Sequence, residues 1–263
     1  MTGPLPRLVG MVHLLPLPGS PGFGGSIDEV LKTAAEDARV LTDAGFPALM
    51  VENFGDAPFF AESVPAETTA AMSIAVSAVA ETGADIGVNV LRNDAAAALA
   101  IAAATGAAFI RVNVLTGIMY TDQGPITGKA AEIARSRSRL TPDVEIWADV
   151  LVKHAVAPPG TNIRQVARDT IERGGADALI VSGAGTGAEL DLDEAADVRD
   201  AIPDRTRLVA GSGVTAENLD RLLRVVDTII VGSSIKVDGD PNQRPDPLRA
   251  KAFMEKAAER GLT

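Results

Sequence analysis

Short apolar runs alternate along the whole chain with longer segments whose apolar positions recur at helical spacing. The short runs are Leu8–Val12, Ala48–Val51, Ile86–Val90, Phe109–Val114, Glu145–Leu151, Ala178–Val181, Arg207–Ala210 and Thr228–Val231. Nearly continuous runs of Val, Ile, Leu and Ala are what strands covered on both faces require. Helices are predicted near residues 26–44, 65–82, 93–105, 128–139, 162–174, 191–201, 215–225 and 246–260. Ser26, Asn93 and Asp191 stand where N-caps belong, and Gly45, Gly83, Gly106 and Gly174 where helices close.

Eight strand–helix units of roughly thirty residues each point to parallel βα repeats. Such units build either an open doubly wound sheet or a closed (β/α)8 TIM barrel. The count of eight, and the lack of a Gly-x-Gly-x-x-Gly turn after the first strand, favour the barrel. No linker or low-complexity tract divides residues 1–263, so one α/β domain is expected.

Composition sharpens this picture in three ways. Aromatic residues make up only 3% of a chain that is 46% hydrophobic, so aliphatic side chains must fill the core. A formal net charge of −11 argues against nucleic-acid binding, which needs clustered Lys and Arg, and against docking on anionic lipid. The absence of cysteine excludes disulfides, thiolate metal sites and thiol nucleophiles. His13, Pro16 and Pro18 interrupt the first apolar run, which makes a poor secretory signal. The stretch "AAAALAIAAATGAAFI" is too short and too weakly apolar to span a bilayer. A soluble, cytoplasmic protein without a transmembrane segment is expected, and homo-oligomerisation is left open.

In a TIM barrel, functional groups gather at the C-terminal ends of the strands. The first strand ends in His13, the second in Glu52-Asn53, and the third carries Asn89 and leads to Arg92. The fourth places Arg111 and Asn113 on one face; the fifth carries Asp149, Lys153 and His154; the sixth ends in Ser182. Asp149 and Lys153 share strand parity, so both are expected to face the mouth, with His154 turned the other way. Each residue also has a plainer use: Arg111 as a strut paired with Asp149 or Glu52, and His13 as a satisfied core histidine. Polar ends on six strands are read together as a candidate active site. Glu52 and Asp149 could hold a divalent cation with His13, but their spacing matches no recognised metal motif, so no cofactor is predicted.

The seventh and eighth strands break into "GSG" and "GSS" (Gly211, Ser212, Gly213; Gly232, Ser233, Ser234), and the sixth into "SGAGTG", opening on Ser182 and Gly183. Glycine lets the backbone approach an oxyanion, and successive amides donate to it. In barrels of this kind the loops after the last strands often hold phosphate. The same glycines also serve tight βα turns.

The stretches "GMVHLLPLPGSP", "MVENFGDAPF", "GVNVLRNDAAAAL", "FIRVNVLTGIMYTDQGPITG", "ADVLVKHA", "DALIVSGAGTG" and "GSGVTAENL…VGSSIKVDG" together resemble the BtpA family, from residue 9 to about residue 240. The resemblance implies a TIM-type barrel grouped with ribulose-phosphate-binding enzymes. It also implies a link to photosystem I accumulation, after which the family is named, and to genes of sugar metabolism.

Two functions follow. One is an enzyme acting on a small phosphorylated sugar or nucleotide-like ligand, by isomerisation, lysis or glycosidic cleavage. Asp149, Glu52, Lys153 and His13 would be its acid–base set, and Asn53, Asn89, Arg111, Asn113 and His154 its substrate contacts. The other is a non-enzymatic assembly factor for a membrane complex such as photosystem I, with peripheral membrane association left open by family analogy. It would dock through "PLPGSPGFGG" or "LTGIMYTDQGPITG". At the catalytic end of the barrel these two segments serve equally as lids.

Overall fold

The computed structural model describes residues 6–183, 185 and 187–262. Ala184 and Thr186, which follow the sixth barrel strand in sequence, lie outside the described residues. The elements run β1 (Leu8–His13), α1 (Ile27–Ala44), β2 (Ala48–Glu52), α2 (Ala66–Ala80), β3 (Asp85–Asn89), α3 (Ala95–Thr105) and β4 (Phe109–Val112). There follow β5 (Ile118–Thr121), β6 (Gly124–Thr127), α4 (Ala130–Leu140), β7 (Glu145–Asp149), β8 (Ala155–Val156), α5 (Ile163–Glu172) and β9 (Ala178–Val181). The chain continues with α6 (Leu192–Ala201), β10 (Arg207–Ala210), α7 (Leu219–Leu222), β11 (Thr228–Val231) and α8 (Pro247–Ala258).

Eight parallel strands close into a barrel in the order β1, β2, β3, β4, β7, β9, β10, β11, with β11 returning to β1. Ser26 accepts the Glu29 amide at the start of α1, and Gly45, in the left-handed region at φ 107°, ends it. At α3 the cap is Asp94, which accepts the Ala97 amide at 2.9 Å. Asn93, the expected cap, instead exchanges hydrogen bonds with the backbone of Val114. The predicted helix at 215–225 shortens to α7. Asn218 accepts the Thr215 amide and donates to Gly213 O, so its side chain competes with helical bonding.

Above the barrel's C-terminal rim, β5, β6 and β8 form a small antiparallel sheet in the order β6-β5-β8. This shortens two predicted strands: β4 stops at Val112 and β7 at Asp149. Val114 and Leu151, the last residues of those two runs, pack with Met119, Ile126 and Val152 in a satellite cluster under that sheet.

Inside the barrel, Val9, Met11, Ala48, Met50, Phe109 and Trp147 lead a closely packed plug. Phe109 stacks on Trp147 with centroids 4.1 Å apart. Gly87 makes room for it, since a Cβ there would lie 2.2 Å from the Phe109 ring. The outer core lies between strands and helices and is built mostly of aliphatic residues. Among the described residues, no helix is long and apolar enough to cross a membrane.

Candidate active site

Directly above the plug, strand register puts four polar side chains at one level. His13 pairs with Glu52, Glu52 with Asn89, and Asn89 with Arg111. Asp149 follows at the end of β7. Arg111 donates to Asp149 at two points, and Asn113 Nδ2 donates to Asp149 Oδ2 at 3.2 Å. Asn89 Nδ2 donates in turn to Asn113 Oδ1 at 3.0 Å. Burial works against the Arg111 charge, but Asp149 more than offsets it and raises its proton affinity. Asn89 Oδ1 and Ser182 Oγ are buried with no hydrogen-bond partner among the described residues.

On the other side of the mouth, His13 stacks on Phe54 with centroids 4.3 Å apart. Its Nδ1 lies 2.9 Å from Pro241 O. A carbonyl only accepts, so Nδ1 carries the proton and neutral His13 turns a lone pair on Nε2 towards Glu52 Oε1, 4.0 Å away. Burial, then Lys236 and Lys153, push His13 down to about 3. Two acceptors therefore face each other across a gap. Lys153 is lowered by burial and by Arg111, against the pull of Glu52 and Asp149. Lys236 is almost wholly buried, donates to Gln243 O at 2.9 Å, and is lowered by burial to about 8.

The turns after β10 and β11 close the remaining side. Ser212 Oγ accepts the Gly183 amide at 3.0 Å, and Ser234 Oγ donates to Val214 O at 2.6 Å. Gly213 has φ 69°, and a Cβ there would sit 2.0 Å from Ala188 O, so the adjoining loops meet only because it has none. A cavity of about 220 Å³ has Gly211, Gly213, Gly232 and Ser233 on one wall and His13, Glu52, Arg111 and Lys153 on the other. A second lobe of about 340 Å³ shares Glu52, Arg111 and Lys153 and extends to Arg92, Asn113 and His154.

The BtpA family profile matches residues 6–259. The chain belongs to the BtpA family. It is 46% identical over 254 residues to the photosystem I biogenesis protein BtpA of Synechocystis sp., covering 96% of this chain and 88% of that one. In fold the BtpA-family chain is similar to a native KDPGal structure, with a TM-score of 0.60, 17% identity, and coverage of 100% and 99% of the two chains. It is also similar to phosphoribosyl anthranilate isomerase from Thermus thermophilus, with a TM-score of 0.59, 13% identity, and coverage of 97% and 99%. At these identities the likeness concerns the barrel alone.

The BtpA-family barrel thus brings His13, Glu52, Arg111, Lys153, Ser212, Gly213 and Ser233 around one cavity. It does not bring Asn53 there. That side chain donates to Asp56 and accepts the Leu91 amide at 2.7 Å, tying two loops together. Asp149 reaches the rim, but its oxygens are occupied by Arg111 and Asn113. Lys153 arrives by a different route from strand parity: β7 has ended four residues earlier, and an irregular loop carries it over the mouth. His154, with φ 55°, lines only the second lobe of the two. The sequence gives no role to Arg92, which follows the third strand, and does not single out Lys236, in the loop after β11; both are buried cations. Among the described residues, no three His, Cys, Asp or Glu side chains cluster to hold a metal ion.

Proposed function

We propose that the protein is an enzyme acting on a small phosphorylated ligand of sugar or nucleotide-like character. The observation that carries this reading is the shared cavity. Backbone-rich Gly/Ser turns form one wall, and Glu52, His13 and Lys153 form the other, within one small volume. The amides of the turns are suited to an oxyanion. Glu52 then serves as base, Lys153 as the group that moves or donates a proton, and His13 Nε2 as an acceptor for a substrate hydroxyl. Arg111 and Asp149 hold each other, so their contribution is to fix the field in which Glu52 and Lys153 work. This set suits isomerisation, carbon–carbon lysis or glycosidic cleavage. Thermal-shift screening of phosphorylated sugars and nucleotides tests the reading. A true ligand at a hundred times its dissociation constant adds about 2.7 kcal/mol, and Ser233→Asp, which places a carboxylate at the turn, should abolish the shift. Shifts that survive Ser233→Asp would place the anion elsewhere.

An assembly role, after the name of the Synechocystis relative, is favoured by one feature. Tyr120 and Val156 face each other across β5 and β8 and are 49% and 69% exposed, an outward apolar pair beside the mouth. Tyr120→Ser with Val156→Ser would abolish partner capture under that reading and leave ligand binding intact.

A further inference from the structure

Arg92 is buried at 5% exposure, on the wall of the second lobe. Among the described residues it has no ion pair, and its one side-chain hydrogen bond runs from Nη2 to Lys153 O at 2.6 Å. Asp149, Glu52 and Asp122 act on it only from a distance. A buried guanidinium ordinarily has a carboxylate or several acceptors, because its desolvation is otherwise uncompensated. Arg111, which lines the same lobe, shows the ordinary solution with its bidentate Asp149. With that pair neutral, the walls of the two lobes leave Arg92 and Lys153 facing the single carboxylate of Glu52. This local excess of cations stands in a chain of net charge −11. The rest of the second lobe is largely apolar, with Phe54, Ala57, Phe59 and Leu91.

We infer that Arg92 receives a carboxylate of the ligand, so that the substrate is an organic acid bearing a phosphate at one end and a carboxylate at the other. A planar guanidinium fork against apolar walls matches a planar monoanion. The two lobes join through Glu52, Arg111 and Lys153, so the carbons between the two anionic ends would lie beneath the acid–base groups. The inference rests on the phosphate reading above for the far end of the ligand, while the carboxylate end stands on Arg92 alone.

The test measures calorimetric affinities of four probe series of increasing chain length: phosphonoalkanoates, alkylphosphonates, plain alkanoates and alkyl bisphosphonates. At the best length, phosphonoalkanoates should bind at least about tenfold tighter than the matching alkylphosphonates, as charge-assisted hydrogen bonds allow. Arg92→Gln should erase that advantage and leave alkylphosphonate affinity unchanged. Arg92→Lys, which keeps the charge but loses the fork, should retain part of it and covers the case of a poorly folded glutamine variant. Equal binding of phosphonoalkanoates and alkylphosphonates at every length would overturn the Arg92 inference and leave the phosphate reading intact. Preference for bisphosphonates would overturn the carboxylate assignment. Alkylphosphonates that fail while alkanoates bind in an Arg92-dependent manner would sink the phosphate reading and sustain this one.

Discussion

Arg111 on β4 and Asp149 on β7 grip each other at two points inside the barrel, Nε to Oδ2 at 2.9 Å and Nη2 to Oδ1 at 2.8 Å, with side chains 2% and 0% exposed. A carboxylate so enclosed is poorly placed to exchange protons with a substrate, and its loss strands a buried cation. Asp149→Asn should therefore cost about 3–5 kcal/mol in urea unfolding. Coupling it with Arg111→Met should recover part of that loss, since the stranded charge is gone. An Asp149→Asn protein of unchanged stability that has lost turnover would instead make Asp149 a catalytic acid or base.

His13 gives stability a distinct pH dependence. Its ordinary value is 6.5, and burial with help from Lys236 and Lys153 lowers it to about 3 in the folded protein. Between those values the unfolded chain takes up a proton that the folded chain refuses. Stability should fall as pH drops through this window, by up to about 1.4 kcal/mol per pH unit, and above it His13 contributes no slope. His13→Gln keeps a donor for Pro241 O and removes the titration. Chemical denaturation should then show wild type losing stability faster than the variant on acidification; parallel slopes would mean that His13 protonates freely in the fold.

Lys153 should be reactive at lower pH than an ordinary lysine. Burial and Arg111 lower it from 10.5, and Glu52 opposes them. Reductive methylation followed by peptide mass spectrometry, with exposed Lys32 as the internal reference, should give Lys153 a midpoint below 10.5. Glu52→Gln removes the charge that favours the ammonium, so the midpoint should fall further. A midpoint that rises in Glu52→Gln would show that the two groups do not share a field.

The barrel was readable in the sequence because its strands are buried on both faces and stand out as apolar runs. Ala178–Val181, Arg207–Ala210 and Thr228–Val231 match their runs at both ends. The runs at Phe109–Val114 and Glu145–Leu151 overshoot, because hydrophobicity reports burial and not sheet pairing. Beyond the rim, Val114 and Leu151 pack into the cluster under the satellite sheet. Of the site, the groups carried by strands were legible, since register fixes them. What was not legible depends on loops returning from far along the chain. Lys236 is secured by Gln243 O, and Arg92, visible after the third strand but without a role there, owes its place to Lys153 O, 61 residues away. Asn53 shows the converse: it stands at a strand end, but its amide serves a neighbouring loop.

The small sheet above the rim joins two loops that a barrel ordinarily keeps apart. The hairpin β5–β6 belongs to the connection after β4, and β8 to the connection after β7, yet Tyr120 and Thr121 pair directly with Val156 and Ala155. Lys153 and His154 immediately precede β8, so the segment that carries them is anchored to another repeat's insertion. Independent loop exchange, by which TIM barrels are commonly re-engineered, is therefore closed to this pair. Transplanting either connection alone would leave an unpaired strand edge and release the lysine from its place. The two must travel as one cassette.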